Sequence, residues 1–200
     1  MIKKVIKKGA FKVMNVCDAA EKRRTVRKFV QKEVEKEKLD KLINAARFAA
    51  TAANMQPLKY MIVDSRNKDI YPLTKWAGYL SGWEPAENER PLVYIAVLTD
   101  TSIKPAEKSE VDCGSAIATM MLAAEDLGLG TCWLGAINRP AIKELLALED
   151  KYYVSYLLAV GYPAQKGEVF DIQDNNVKYY FDEEENSHVP KRTMEEILIG

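Results

Sequence analysis

A chain of 200 residues sits at about 1.3 on a scale of roughly 150 residues per domain, so one domain with an appendage is expected. With 48% hydrophobic and 29% charged residues, its composition is that of an ordinary globular protein rather than a disordered, collagen-like or coiled-coil chain. Lys plus Arg (29) cancels Asp plus Glu (29), leaving no global field to draw in nucleic acid or an anionic membrane.

The first segment departs from that neutrality. Residues 1–28 carry ten Lys or Arg against Asp18 and Glu21, a net of +8, so the remainder is acidic. Lys12 and Asn15 interrupt any signal-peptide core. The run Lys22-Arg23-Arg24-Thr25-Val26-Arg27-Lys28 is dense enough to grip a phosphate through charge-assisted bonds, with Thr25 adding a neutral donor. A solvated basic helix end or a nucleic-acid arm is the alternative reading of that run.

From Leu39, apolar residues at Leu42, Ile43, Ala46 and Ala50 follow helical spacing and predict an amphipathic helix ending near Thr51. A break follows, closed by Pro57, and then a short strand over Tyr60 to Val63. Residues 67–90 read as one or two short helices with loops, with Trp76, Tyr79 and Trp83 among polar residues. Leu92 to Leu98 is apolar and β-rich, which predicts a buried strand at the centre of the sheet. Glu110 to Leu127 carries a helical stripe of Cys113, Ile117, Met120, Met121 and Ala124, with Gly128 in the position of a C-terminal cap. A strand over Thr131 to Leu134, a helix opening at Asn138-Arg139-Pro140, and a strand over Tyr153 to Val160 ended by Gly161-Tyr162-Pro163 complete the main body. The tail reads as an acidic loop over Asp182 to Asn186 and a short helix opened by the capping box Thr193 to Glu196. The irregular interleaving of helices and strands predicts an α+β layered fold with a mixed sheet.

Several chemistries drop out. One histidine, His188, is too few for a His-rich zinc site or an HExxH protease, and it reads as structural. Cys17, Cys113 and Cys132 form no CxxC; the latter two sit in apolar stretches as core residues, and a sparse, odd count suits a reducing cytoplasm. The longest charge-free run, Tyr152 to Gln165, is 14 residues and contains Gly161 and Pro163, too short to span a bilayer. Gly128-Leu129-Gly130 invites a dinucleotide fingerprint, but the third glycine falls on Trp133 and the order is helix-then-strand, the reverse of that motif. These glycines read instead as a helix cap and a tight turn, with Gly135 able to let backbone approach a flat ring closely.

Three segments in order, Arg23-Arg24-Thr25-Val26-Arg27, then Ala50-Thr51-Ala52-Ala53-Asn54-Met55-Gln56-Pro57, then Gly128-Leu129-Gly130-Thr131-Cys132-Trp133-Leu134-Gly135, resemble the nitroreductase family of FMN-dependent oxidoreductases. His188-Val189-Pro190-Lys191-Arg192 resembles the family's basic C-terminal motif. The resemblance spans roughly residues 20–200, leaves residues 1–16 as a basic N-terminal extension to a domain of residues 17–200, and makes Trp76, Tyr79 and Trp83, in the middle region that the family varies, candidates for a substrate mouth. It implies a three-layer α/β/α sandwich with a mixed central sheet, in an intertwined homodimer that holds FMN at the subunit interface. It assigns Arg23, Arg24, Thr25 and Arg27 to the FMN phosphate and nearby atoms, Thr51, Asn54 and Gln56 to the isoalloxazine ring, Leu134 and Gly135 to backbone contacts with the ring, and Arg192, ahead of Lys191, to the phosphate. Thr25 and Thr51 replace the family's usual serines and keep the hydroxyl. Ala50 replaces its usual proline and removes a backbone constraint.

The implied activity is a cytoplasmic enzyme that takes a hydride from NADH or NADPH and reduces a small electron-poor acceptor, a nitroaromatic, quinone or enone, by ping-pong kinetics. The flavin carries the redox chemistry, so no catalytic side chain or metal is assigned. Competing readings are specialised flavin chemistry (reductive dehalogenation or flavin cleavage), a non-catalytic flavin-binding protein, and a nucleic-acid binder using residues 1–28.

Overall fold

A computed structural model describes residues 14–200; residues 1–13, most of the expected basic extension, lie outside the described residues. In chain order the elements are α1 (Val16–Lys22), β1 (Phe29–Val30), α2 (Lys36–Arg47), β2 (Leu58–Asp64), β3 (Val93–Asp100), α3 (Glu110–Asp126), β4 (Gly130–Leu134), α4 (Arg139–Leu145), β5 (Tyr152–Pro163), β6 (Gly167–Asp171), β7 (Tyr180–Phe181), β8 (Ser187–Lys191) and α5 (Met194–Ile197).

The main sheet has the order β1-β5-β3-β2, with β4 also on β5. Its strand pairs are antiparallel, and a parallel bridge from Thr25 to Thr131 makes it mixed. All eight residues of β3 are buried, because its alternate side chains feed two cores. Val93, Ile95 and Val97 face α2 and α3, joining Leu42, Ile117 and Met120. Tyr94, Ala96 and Leu98 face α4 and the 63–76 connection, joining Ile70, Ile142 and Leu146. A strand covered on both faces carries no polar alternation, and each fully buried aliphatic side chain contributes about 1.5–3 kcal/mol. Helices on both sides of one sheet give the expected three-layer α+β sandwich.

The stripe on α3 is buried as its periodicity predicts, from Cys113 to Ala124, and it is engaged in its own chain's core; Val111 is the large apolar side chain the helix leaves exposed. Gly128 at φ 70° ends the helix. The Gly128 amide donates to Glu125 O and the Leu129 amide to Ala124 O at 2.8 Å, the paired bonds of a Schellman cap. Asn138 caps α4, accepting from the Ala141 amide at 3.3 Å, and Thr193 and Glu196 form the expected capping box at α5.

Three expectations need correction. The second helix ends at Arg47, short of Thr51, because the Phe48 amide turns back onto Ala45 and Ala46 carbonyls. The strand expected to stop at Gly161 runs through Pro163: Phe29 and Val30 pair with Pro163 and Tyr162, and Phe29 covers Gly161 so closely that a Cβ there would lie 2.8 Å from its ring. The tail holds a second sheet as well as a loop, with β8 parallel to β6 and antiparallel to β7. One further irregularity matters for the site. Between Val97 and Leu98 the β5 register skips Ser155, a bulge, so Val154 crosses to the α4 core while Ser155 donates or accepts at Thr99 Oγ1, 2.8 Å away.

Candidate functional site

The arginine segment leaves α1 and runs extended along β4. Asn15 caps α1 through the Asp18 amide, and beyond Arg23 the chain straightens until Val26 donates its amide to Thr131 O at 2.9 Å. Gly130 permits this approach: a Cβ there would meet Val26 Cγ2 at 2.7 Å. Arg24 bends back so that its guanidinium donates to Arg23 O and, at 2.5 Å, to Glu21 O. Arg27 is buried with its guanidinium 4.3 Å from the Tyr179 ring centre. Among the described residues, the buried Nε atoms of Arg24 and Arg27 have no hydrogen-bond partner. Burial lowers the Arg24 pKa from its ordinary value, and Arg23 adds like-charge repulsion. Cations held together with unmet donors are the chemistry an anion satisfies.

Lys28, in the same run, is committed elsewhere. It pairs with Glu89 at 2.7 Å and with Glu185. Burial alone would lower its pKa, and the bonds to Glu185 and Glu89 reverse that and raise it. With Gln165, which accepts from the Arg27 and Lys28 amides and donates to Glu185 O, this pair fastens the second sheet to the main one.

Thr51, Asn54 and Gln56 lie on a strained turn. Ala53, Asn54 and Gln56 all have positive φ, between 50° and 53°, a left-handed conformation that costs about 1–2 kcal/mol per residue with a β-carbon, asparagine being the most tolerant. Thr51 Oγ1 accepts from the Gln56 amide at 3.2 Å, and Gln56 Nε2 donates to Asn54 O at 3.2 Å. The turn is tied to α3 by Asp112, whose Oδ1 accepts from the Ala52 amide at 2.8 Å and whose Oδ2 accepts from Lys104 Nζ at 2.6 Å. Sequence reasoning missed this pair; the signal was a carboxylate directly beside Cys113 in an otherwise apolar helical stripe.

Leu134 is buried at the end of β4, and Gly135 is exposed. The missing side chain of Gly135 makes room for one of the protein's own rings: a Cβ would lie 3.3 Å from Tyr156 Cε1. Gly135 O accepts from Arg139, which also donates to Ser155 O at 3.1 Å in the bulge. An open cleft of about 450 Å³ begins here, lined by Leu73, Thr74, Lys75, Gly135, Asn138 and Arg139. Lys75 and Arg139 were not singled out from sequence. Of the aromatic trio, Trp76 stacks on Tyr71 and Trp83 packs edge-on against Phe181, whereas Tyr79 is exposed beside Tyr179. Cys113 and Cys132 are buried thiols whose pKa burial raises, for Cys132 to about 12. His188 stacks on Tyr180 and bonds Asp182 at 2.9 Å.

The fold therefore brings Arg23, Arg24, Thr25 and Arg27 against the strand that leads to Leu134 and Gly135. The second sheet touches the same segment, since a Cβ on Gly167 would lie 2.7 Å from Arg24 Cβ. Arg192 follows β8 and is exposed, bonded to Asn175 at 3.2 Å and Glu196 at 3.1 Å. Thr51, Asn54 and Gln56 are not brought to this group within one chain. Leu134 pairs with Leu157, Leu157 with Ala96, and Ala96 with Met61, so about 14 Å of sheet separates Leu134 from β2 alone, and the turn precedes β2.

Comparison with known proteins matches residues 20–87 and 81–162 to the sequence model of the nitroreductase family. A protein of Archaeoglobus fulgidus carrying the provisional name NADH dehydrogenase/NAD(P)H nitroreductase is 26% identical over 156 residues, 76% of this chain and 87% of its own length. Among solved structures, a nitroreductase family protein from Clostridium novyi has 27% identity and a TM-score of 0.64, covering 75% of this chain and 86% of that one. An FMN-dependent nitroreductase from Clostridium difficile has 26% identity and a TM-score of 0.61, covering 79% and 98%.

Proposed function

The chain belongs to the nitroreductase family, and from that premise we propose that it is an FMN-dependent oxidoreductase drawing electrons from NADH or NADPH and passing them to a small electron-poor acceptor, a nitroaromatic, quinone or enone. The observation that carries this reading is the parallel bridge from Thr25 to Thr131, which lays cations with unmet buried donors along the strand ending at the open cleft beside Gly135. The donor set fits FMN: Arg23, Arg24, Arg27 and the Thr25 hydroxyl suit its phosphate, and amide and side-chain groups near Leu134 and Gly135 suit its ring. Bound FMN supplies two-electron exchange with nicotinamide and acceptor. The protein's share is to hold it, orient it and keep one face open to both substrates in turn, which gives ping-pong kinetics.

The Thr51–Gln56 turn lies too far along the sheet to meet the other motifs of its own chain. This supports a homodimer in which Thr51, Asn54 and Gln56 of one copy complete the ring site of the other. Residues 17–200 form the flavin domain in this reading, and residues 1–16 a basic arm. Three free cysteines without a disulfide, and no described helix long and apolar enough to cross a membrane, support a cytoplasmic place.

The test is reconstitution. The purified protein is expected to take up FMN, turn yellow, and bleach under anaerobic NADH or NADPH, with colour restored by a quinone or nitroaromatic. A protein that stays colourless in excess FMN refutes the reading, and one that binds FMN but resists reduction by either nicotinamide is a non-catalytic flavoprotein.

A further inference from the structure

Asp112 and Lys104 stand outside every motif that points to the flavin, yet they are among the most buried charges among the described residues, with side-chain exposures of 1% and 10%. Asp112 lies in the first turn of α3, a helix fixed by packing along its whole length. Its two oxygens are divided between two clients: Lys104 Nζ on one, and the Ala52 amide on the other. Ala52 opens the turn in which Ala53, Asn54 and Gln56 hold positive φ, and the bonds from Gln56 to Thr51 and Asn54, from the Asn54 amide to Thr51 O and from the Met55 amide to Ala52 O are internal to it. Those internal bonds shape the turn without fixing where it stands. The Asp100 amide, donating to Pro57 O at 2.8 Å, ties the far end of the turn to β3; the Ala52 bond ties its near end to the rigid helix, and Lys104 Nζ pairs the buried carboxylate at 2.6 Å.

We propose that Asp112, balanced by Lys104, is a positioning residue: it holds the Thr51–Gln56 turn on the N-terminal end of α3 in the orientation from which Thr51, Asn54 and Gln56 meet the flavin ring. This inference rests on the ring contact proposed above, and its test separates the two. A partner left alone would be a buried uncompensated charge, so both are replaced together. Lys104→Met with Asp112→Leu removes the pair in matched apolar form, which is commonly tolerated, and deletes the acceptor for Ala52. Lys104→Gln with Asp112→Asn, the amide pair, keeps an acceptor oxygen for Ala52 and lets the new asparagine amide donate to the new glutamine oxygen, so that no unpaired charge is left buried.

In the apoprotein, the double variant is expected to speed amide hydrogen exchange across residues 52–56 by about tenfold, with β3 and β5 unchanged. In the FMN-loaded protein it is expected to weaken FMN binding about tenfold and shift the flavin midpoint potential, whereas the amide pair stays near wild type in all three. Should leucine overfill the site, Lys104→Met with Asp112→Ala serves the same comparison. Wild-type exchange, affinity and potential in the double variant would overturn the proposal, as would an amide pair that loses as much as the double variant. If the wild-type protein itself takes up no FMN, the flavin reading falls, and the exchange rates alone decide the anchoring role.

Discussion

Placing one methyl group on Gly130 is expected to lift the arginine segment off β4. The new carbon would lie 2.7, 2.8 and 3.0 Å from Cγ2, Cβ and Cγ1 of Val26, where ordinary contact begins near 3.4 Å. Val26 or its backbone must therefore retreat by about 0.7 Å in a packed core. Overpacking of this kind costs about 1–3 kcal/mol, and loss of the 2.9 Å bond from the Val26 amide to Thr131 O adds about 1 kcal/mol. Gly130→Ala should thus destabilise by about 2–4 kcal/mol, read from urea unfolding. Because Arg24 and Arg27 flank Val26, FMN affinity should fall in parallel. Val26→Ala restores only part of the loss, since the Val26 Cβ is itself one of the clashing atoms, and Val26→Gly restores more of the space. A Gly130→Ala protein within 0.5 kcal/mol of wild type, with unchanged FMN affinity, would refute the docking argument.

Tyr94 is fully buried, and its hydroxyl has no partner among the described residues; burial holds its pKa well above the ordinary phenol value. Tyr94→Phe should therefore be neutral or raise the melting temperature, by up to about 1–3 kcal/mol of stability, and a clear loss would reveal a hidden partner such as water. Arg192 is exposed and pairs with Glu196, a contact worth about 0–1 kcal/mol. Arg192→Ala should leave apoprotein melting almost unchanged yet weaken FMN retention by about tenfold or more, as measured by fluorescence titration; equal losses in both would mark the arginine as structural. The Asp182 carboxyl, hydrogen-bonded by His188 and then by Asn186, is held down at about 2. A depressed carboxylate contributes its stability above the unfolded pKa, near 4, and loses it as pH falls toward 2. Acid titration of the β7–β8 hairpin by NMR should show that transition between about pH 4 and 2, and Asp182→Asn should flatten it.

The sheet and its helices were legible because their signals are local. The apolar run at Leu92 to Leu98 can only be a buried strand, the stripe from Cys113 to Ala124 and the glycine at 128 give a helix and its end, and Asn138 and Thr193 announce caps. The misreadings came from tertiary context. Pairing with Phe29 and Val30 carries β5 past Gly161, and no window around Tyr162 contains Phe29. The second sheet is held by Lys28, Gln165 and Glu185, residues that look like solvated charges until the fold gathers them. Of the candidate site, the cation run and the β4 exit could be read as chemistry, and their adjacency through Thr25 and Thr131 could not. Gly135 shows a similar limit: within the chain its small size makes room for Tyr156, a neighbour that no local window around Gly135 contains.

The order β1-β5-β3-β2 also sets when this protein can fold. β2 and β3 can meet early, but β3 remains uncovered along one edge until β5 arrives, and β5 is needed in turn by β4 and by β1 near the start of the chain. Contacts of such long sequence separation are slow to form. During synthesis, a nascent chain that has emerged only as far as α4 presents the unpaired edge of a strand that is apolar from Val93 to Leu98, the kind of surface that associates with its copies or recruits chaperones. Emergence of Tyr152–Pro163 from the ribosome, more than any local helix, is therefore the step that commits the chain to its native state.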